Sequence, residues 1–294
     1  MWDRKSLISV DQLSRSDIEK ILSVADSLSG GPSDACKGKI LANIFFEPST
    51  RTEKSFQAAM YRLGGQVIAH KDSGSSREKG ETKEDTIRVL SGYADIAVIR
   101  DDEEGKMARY AALAGVSVIN AGDGSNEHPT QTLLDAFTIL KERGRLDNLK
   151  IAFVGDLKYS RTIHSLMKTL SKFSGNRLYG IYPGPLSLPE SMKPLVQSLH
   201  SVDEMKQALK EMQPDVIYSN RVQEERLHGE KANYLIDKSI LEAIPEDCIL
   251  MNPLPRAGEL SVEIDSDKRV IPFKQAKNGI PVRIALLSMM FRSR

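Results

Sequence analysis

The chain has 294 residues, 40% of them hydrophobic and 28% charged, with a net charge of +1. That balance argues against nucleic acid or an acidic membrane as the main partner, and no apolar run is long enough to span a bilayer. The only cysteines, Cys36 and Cys248, suggest no disulfide framework, and the opening MWDRKSLISV lacks a signal peptide's apolar core. A reducing, cytoplasmic setting and one large or two ordinary domains are therefore expected.

RSDIEKILSVADSLSGG reads as a helix with a capping box from Ser16 to Glu19, an apolar stripe of Ile18, Ile21, Leu22, Ala25 and Leu28, and a stop at Gly30. KILANIFF predicts a buried strand, and STRTEKSFQAAMYRLGG predicts a helix with Phe56, Ala59, Met60 and Leu63 on one face. Strand QVIAH, helix TKEDTIRVLSGY, strand ADIAVIR, helix GKMARYAALAG and strand VSVINA follow, then the long helix HPTQTLLDAFTILKERG. The alternation restarts with strand KIAFVGD, helix SRTIHSLMKTLSKF and strand RLYGIY. SVDEMKQALKEM predicts a helix capped by Ser201 and Glu204, DVIYSN and CILMN predict strands, and GIPVRIALLSMMF closes the chain as a helix. Such alternation implies α/β architecture: two lobes, each a parallel sheet flanked by helices, joined by one long helix. The boundary is expected within or near residues 128–148.

In open parallel sheets ligands bind beyond the carboxyl ends of the strands. Those places carry a consistent chemistry here: Ser49, Thr50, Arg51 and Thr52 after Phe46; Arg100 ending a strand; His128 and Gln131; Lys158 and Arg161; Arg221 and Gln223; and NPLPR. Each has an ordinary reading too. Serine and threonine cap helices, Pro48 fits a helix start, a strand-end arginine is often solvated, and NPLPR can be a rigid loop. One cap residue is enough, however, whereas three hydroxyls and a guanidinium share one turn beside a helix N-terminus, so anion binding is the preferred reading. Four arginines at strand ends suit several negative charges. GDLKYSR lacks the G-x-G-x-x-G of a dinucleotide site, and no metal motif is present. His70, His164, His200 and His228 receive no role, and Lys79 sits in a polar loop whose plain reading is a solvated lysine.

FFEPSTRT, GSNEHPTQTLLD, VGDLKYSRTIHSL and RVQEER, in this order over nearly the whole chain, resemble the aspartate/ornithine carbamoyltransferase family. NPLPR in place of the HCLP usual in the ornithine branch, with DLKYSRT and RVQEER, points to the aspartate branch. The resemblance implies a carbamoyl-phosphate-binding domain at 1–130 joined by the C-terminal helix 279–294, and an aspartate-binding domain at 131–278. It implies that Ser49, Thr50, Arg51 and Thr52 hold the phosphate, that Thr52, Arg100 and His128 bond the carbonyl oxygen, and that Gln131 with the backbone carbonyls of Pro253 and Leu254 holds the amino group. Arg161, Arg221 and Gln223 would take the carboxylates of aspartate. Ser75 and Lys79 match residues that reach a neighbouring subunit's site, which implies a homotrimer with shared active sites. No cofactor and no metal are implied. A separate regulatory chain, which some family members carry, is a partner the resemblance leaves open.

The sequence departs from the family at Asn252 (usually His), Asp101-Asp102 (commonly His-Pro), Glu224 (often Lys), Glu53 (frequently Arg) and Ala257-Gly258 (often Val-Asp). An added acid beside an anion site weakens it unless the carboxylate points away. The function implied is carbamoyl transfer from carbamoyl phosphate to aspartate in pyrimidine synthesis. Transfer to another amine such as ornithine, and a non-catalytic ligand-binding homologue, are the alternatives.

Overall fold

The structure, a computed structural model, describes residues 6–28, 33–71, 80–227 and 232–292. The chain divides into two units, Met1–Leu134 with Asn278–Arg294, and Asp135–Lys277.

In the first unit, helix α1 (Arg15–Ser27) buries Ile18, Ile21, Leu22 and Ala25. Its cap differs from expectation: Ser14, not Ser16, accepts from the Asp17 N–H, and the Asp17 carboxylate answers the Ser14 backbone. The box pattern occurs twice, two residues apart, and the helix starts at the earlier one. Four strands follow, β1 (Ile40–Phe45), β2 (Gln66–Lys71), β3 (Ile96–Asp101) and β4 (Ser117–Asp123). They are linked by α2 (Thr50–Arg62), α3 (Lys83–Gly92) and α4 (Met107–Ala114). The sheet order is β2-β1-β3-β4 and every pair is parallel. β1, β3 and β4 are apolar along most of their length because both faces are covered. Ala42, Ile44, Ala97, Ile99 and Val118 pack with Ile87 of α3 and Met107 and Tyr110 of α4.

Helix α5 (Pro129–Arg143) begins in the first unit and ends in the second. The second unit holds β5 (Lys150–Gly155), α6 (Arg161–Leu170), β6 (Arg177–Tyr182), β7 (Ser198–Ser201), α7 (Met205–Met212), β8 (Val216–Asn220), α8 (Lys238–Leu241) and β9 (Ile249–Met251). Its parallel sheet has the order β7-β6-β5-β8-β9. Val154, Ile181, Leu209, Ile217 and Leu250 form part of its core. The last helix, α9 (Pro272–Arg292), passes to the first unit at Asn278.

Two features depart from the sequence reading. Ser201 caps a 3-10 turn, Val202–Glu204, and α7 starts only at Met205. β7 was not expected: SLHS is a half-buried edge strand with one apolar residue, too few to show an alternation. Among the described residues no helix is long and apolar enough to cross a membrane.

Each sheet has one point where the strand order reverses. From β1 the chain steps outward to β2, then returns past β1 to β3. From β5 it steps to β6 and β7, then returns past β5 to β8. Adjacent crossovers leave in opposite directions there, which opens a crevice at the strand ends.

Candidate active site

The β1/β3 crevice holds the Ser49–Thr52 corner and Arg100. Ser49 occupies the N-cap of α2, but its side chain makes no capping hydrogen bond. Its backbone carbonyl accepts from the Glu53 N–H at 3.1 Å. The hydroxyl is thus not consumed by the helix, and the first turn of α2 keeps N–H groups without intrahelical acceptors. Thr52 is buried, while Thr50 and Arg51 are exposed. Nearby protein lowers the Arg51 pKa from its ordinary value by desolvation. Among the described residues no acid is bonded to this guanidinium. Such a corner is electropositive and short of acceptors.

Arg100 is nearly buried, and its guanidinium bonds Glu47 at 2.9 Å and the Ala121 carbonyl at 3.3 Å. It lies where the β3/β4 register slips, Ile99 pairing with Asn120 but Asp101 with Asp123. The extra β4 residue is a bulge, a feature that turns side chains toward sites. The Phe46 N–H donates to the Arg100 carbonyl at 2.9 Å, which fixes the ends of β1 and β3 to each other.

His128 and Gln131, both buried, flank the start of α5. His128 Nδ1 lies 3.5 Å from the Thr130 hydroxyl. The loop before them is braced by Asp123, whose carboxylate accepts from Asn120 at 2.9 Å, Asn126 at 2.9 Å and the Gly105 N–H at 3.0 Å. Glu127 ties it to the chain start, accepting from Ser9 and the Val10 N–H.

The β5/β8 crevice of the second unit is built around Asp156, which is fully buried. Its carboxylate accepts from the N–H groups of Lys158 and Tyr159 at 3.1 and 2.9 Å and from the Gln223 amide at 3.2 Å. Burial pushes its pKa up while these bonds pull it down. Asp156 thereby shapes the loop leading to Arg161, the first residue of α6, and places Gln223. His164 adds a bond to the Leu157 carbonyl at 2.8 Å. Arg221 pairs with Glu225, and that bond raises its pKa. Tyr234 joins the strand ends: its hydroxyl sits 3.1 Å from the Val154 carbonyl and 2.6 Å from the Asn220 carbonyl. Gly155 is required beside it. At φ 118 a Cβ would fall 2.4 Å from the Asn220 carbonyl oxygen and 2.7 Å from the Tyr234 hydroxyl.

After β9, Pro253 and Leu254 form a loop held by Asn252. The Asn252 side chain accepts from the Leu254 N–H at 2.7 Å and donates to Ser219 at 3.1 Å and Glu259 at 2.9 Å. Leu254 has φ 58 and precedes a cis Pro255. Asn252, where the family usually has histidine, is therefore the loop's anchor.

The added acids are all engaged or turned outward. Glu53 bonds Lys54 at 3.0 Å. Asp101 and Asp102 bond Lys83. Glu224 lies exposed in a 3-10 turn. The Ala257 N–H donates to Glu259 at 2.7 Å. Ser75 and Lys79 lie outside the described residues. The structure thus places Ser49, Thr50, Arg51, Thr52 and Arg100 at one crevice, His128 and Gln131 at the β4 end, and Arg161, Arg221 and Gln223 at the other crevice. Asp156 and Tyr234 escaped the sequence reading, which noted Asn252 only as a departure from the family and not as an anchor. Only Asp156 carried a local signal, an acid ending a glycine-terminated strand.

A model for "Aspartate/ornithine carbamoyltransferase, carbamoyl-P binding domain" matches residues 5–141, and one for its Asp/Orn binding domain matches 147–290. The chain belongs to the aspartate/ornithine carbamoyltransferase family. Its relatives in this family include aspartate carbamoyltransferase catalytic subunits from Finegoldia magna, 41% identical over 98% of both chains, and Clostridium acetobutylicum, 42% identical over 99% of both. Among solved structures, the catalytic subunit of M. jannaschii aspartate transcarbamoylase superposes with a TM-score of 0.85 at 41% identity over 99% of each chain. The Trypanosoma cruzi aspartate transcarbamoylase, in complex with carbamoyl aspartate and phosphate, gives 0.88 at 36% identity, covering 97% of this chain and 94% of that one.

Proposed function

We propose that the chain transfers the carbamoyl group of carbamoyl phosphate to the amine of L-aspartate, giving N-carbamoyl-L-aspartate and phosphate in pyrimidine biosynthesis. The observation that carries this reading is the Ser49–Thr52 corner, with a cap hydroxyl left out of its cap beside an arginine bonded to no acid among the described residues. The relatives' names, at about two-fifths identity over full length, point the same way.

In this reading the first unit receives carbamoyl phosphate, its phosphate on Ser49, Thr50, Arg51 and Thr52. Thr52, Arg100 and His128 donate to the carbonyl oxygen, while Gln131 and the carbonyls of Pro253 and Leu254 accept from the amino group. The second unit receives aspartate on Arg161, Arg221 and Gln223. When the amine attacks, negative charge grows on the carbonyl oxygen, so donors fixed there stabilise the transition state more than the ground state. Phosphate leaves as an anion already held. No covalent nucleophile is needed, and positioning supplies much of the rate.

The choice of aspartate over ornithine follows from charge. Two guanidiniums suit a dicarboxylate, whereas the extra ammonium of ornithine would face them. Arg221 retains donors beyond those it gives to Glu225 and Val222. Ser75 and Lys79 complete a neighbouring subunit's site in a homotrimer, and the enzyme works in the cytoplasm.

The test is calorimetry. Wild-type protein should bind inorganic phosphate, and aspartate but not ornithine should bind the phosphate-loaded form. Arg51→Ala should stay folded and bind phosphate roughly 10- to 100-fold more weakly, the loss of one charge-assisted grip. Unchanged phosphate affinity in Arg51→Ala would remove this corner from the site.

A further inference from the structure

Lys83 opens α3, and its ammonium meets three carboxylates, Asp101 buried and Asp102 and Glu103 exposed. It donates to Asp101 at 2.6 Å, Asp102 at 2.7 Å and Glu103 at 3.1 Å, with its side chain only 11% exposed. The same ammonium lies 5.6 Å from the Phe46 ring centre. Asp101 is fully buried and also accepts from the Tyr110 hydroxyl at 2.6 Å. Bonds to Asp101 and Lys83 hold Asp102 at about 2, so its charge is present throughout neutral pH.

This cluster is linked to the anion corner through β3 and Phe46. Asp101 follows Arg100 in β3, and alternation sends the two side chains to opposite faces of the sheet. Phe46, under the ammonium, is bonded through its N–H to the Arg100 carbonyl and leads into Ser49–Thr52. Without Lys83, three carboxylates would raise the negative potential where a phosphate must bind. Asp101 is buried and weakly screened, while Asp102 and Glu103 are exposed and screened by salt, so the penalty at the corner is greatest at low ionic strength.

We propose that Lys83 is an affinity-determining residue of the carbamoyl-phosphate site, one that offsets part of the negative charge of the carboxylates following Arg100 and holds the β3 end that carries it. The proposal rests on the reading of the Ser49–Thr52 corner as the phosphate site. The Lys83 ammonium is engaged by carboxylates, so the role proposed for it is positioning and charge compensation.

The experiment titrates inorganic phosphate into wild type, Lys83→Met, and Lys83→Met combined with Asp101→Asn and Asp102→Asn, at matched low salt and with thermal melts. Lys83→Met should bind phosphate roughly 5- to 20-fold more weakly. The combined variant should return to within about two-fold of wild type, because removing the acids removes the need for their counter-charge. A purely structural lysine would lose and regain phosphate binding together with its melting temperature; charge compensation instead predicts an unchanged melt and a loss that shrinks with added salt. Should Lys83→Met fail to fold, Asp102→Asn with Glu103→Gln in the wild-type background should tighten phosphate binding roughly two- to five-fold, an effect that shrinks with added salt. Wild-type affinity in Lys83→Met, no rescue in the combined variant, or no tightening in the acid-deleted one overturns the proposal. A wild type that binds no phosphate overturns instead the reading on which the proposal stands.

Discussion

At Ser49 the side chain is spared the duty its position offers, and at Asn252 a side chain takes on several. Asn252 joins the Leu254 N–H, Ser219 and Glu259, all buried or half-buried. Asn252→Ala should cost about 1–3 kcal/mol, because Glu259 loses a donor and the Leu254 N–H its acceptor. Chemical denaturation read against wild type checks this, and an unmoved midpoint would refute it. Gly155→Ala should cost more than an ordinary glycine substitution, since its φ of 118 and the Asn220 carbonyl both exclude a Cβ. Ser49, Arg51, Arg100, Arg161 and Arg221 were legible in the sequence because strand ends in an alternating chain announce themselves. Lys83 was not: its partner Asp101 lies eighteen residues away, and nothing local links a helix's first lysine to a strand's last acid. The same holds for Asn252, which looked like a lost histidine until its bonds were visible.

At the scale of elements, the switch points decide where chemistry collects. The β1/β3 and β5/β8 crevices are set by strand order, which no periodicity reveals, whereas the strands and helices themselves follow from apolar runs and stripes. Cap positions were less legible: Ser14 and Ser16 both begin box-like patterns, and the helix takes the earlier. The β5/β8 crevice depends on Tyr234, eighty residues beyond Val154. Tyr234→Phe removes the hydroxyl that bonds both strand ends and should destabilise the second unit by about 1–2 kcal/mol. Because that hydroxyl fixes the entry to Arg221, aspartate KM should rise while phosphate affinity in the first unit is unchanged. Equal loss of both would show that the two crevices are not independently built.

At the scale of the whole molecule, each unit has its own sheet and core, and each buries one cysteine. Burial pushes the Cys36 thiol up to about 11 and Cys248 up to about 12. At pH 8 the thiolate is then roughly 100-fold or more scarcer than for a free thiol, and access is closed as well. The folded protein should resist a thiol reagent, with Cys36 reporting opening of the first unit and Cys248 of the second as denaturant is added. Rapid labelling of the native protein would contradict the packing described.

The central claim is tested most directly by supplying isotope-labelled carbamoyl phosphate with L-aspartate or L-ornithine and identifying the products by mass spectrometry. N-carbamoyl-L-aspartate and phosphate in equal amounts from aspartate, with no carbamoylated ornithine, is the predicted result. No carbamoyl-aspartate at saturating aspartate, from protein that binds phosphate, would contradict it.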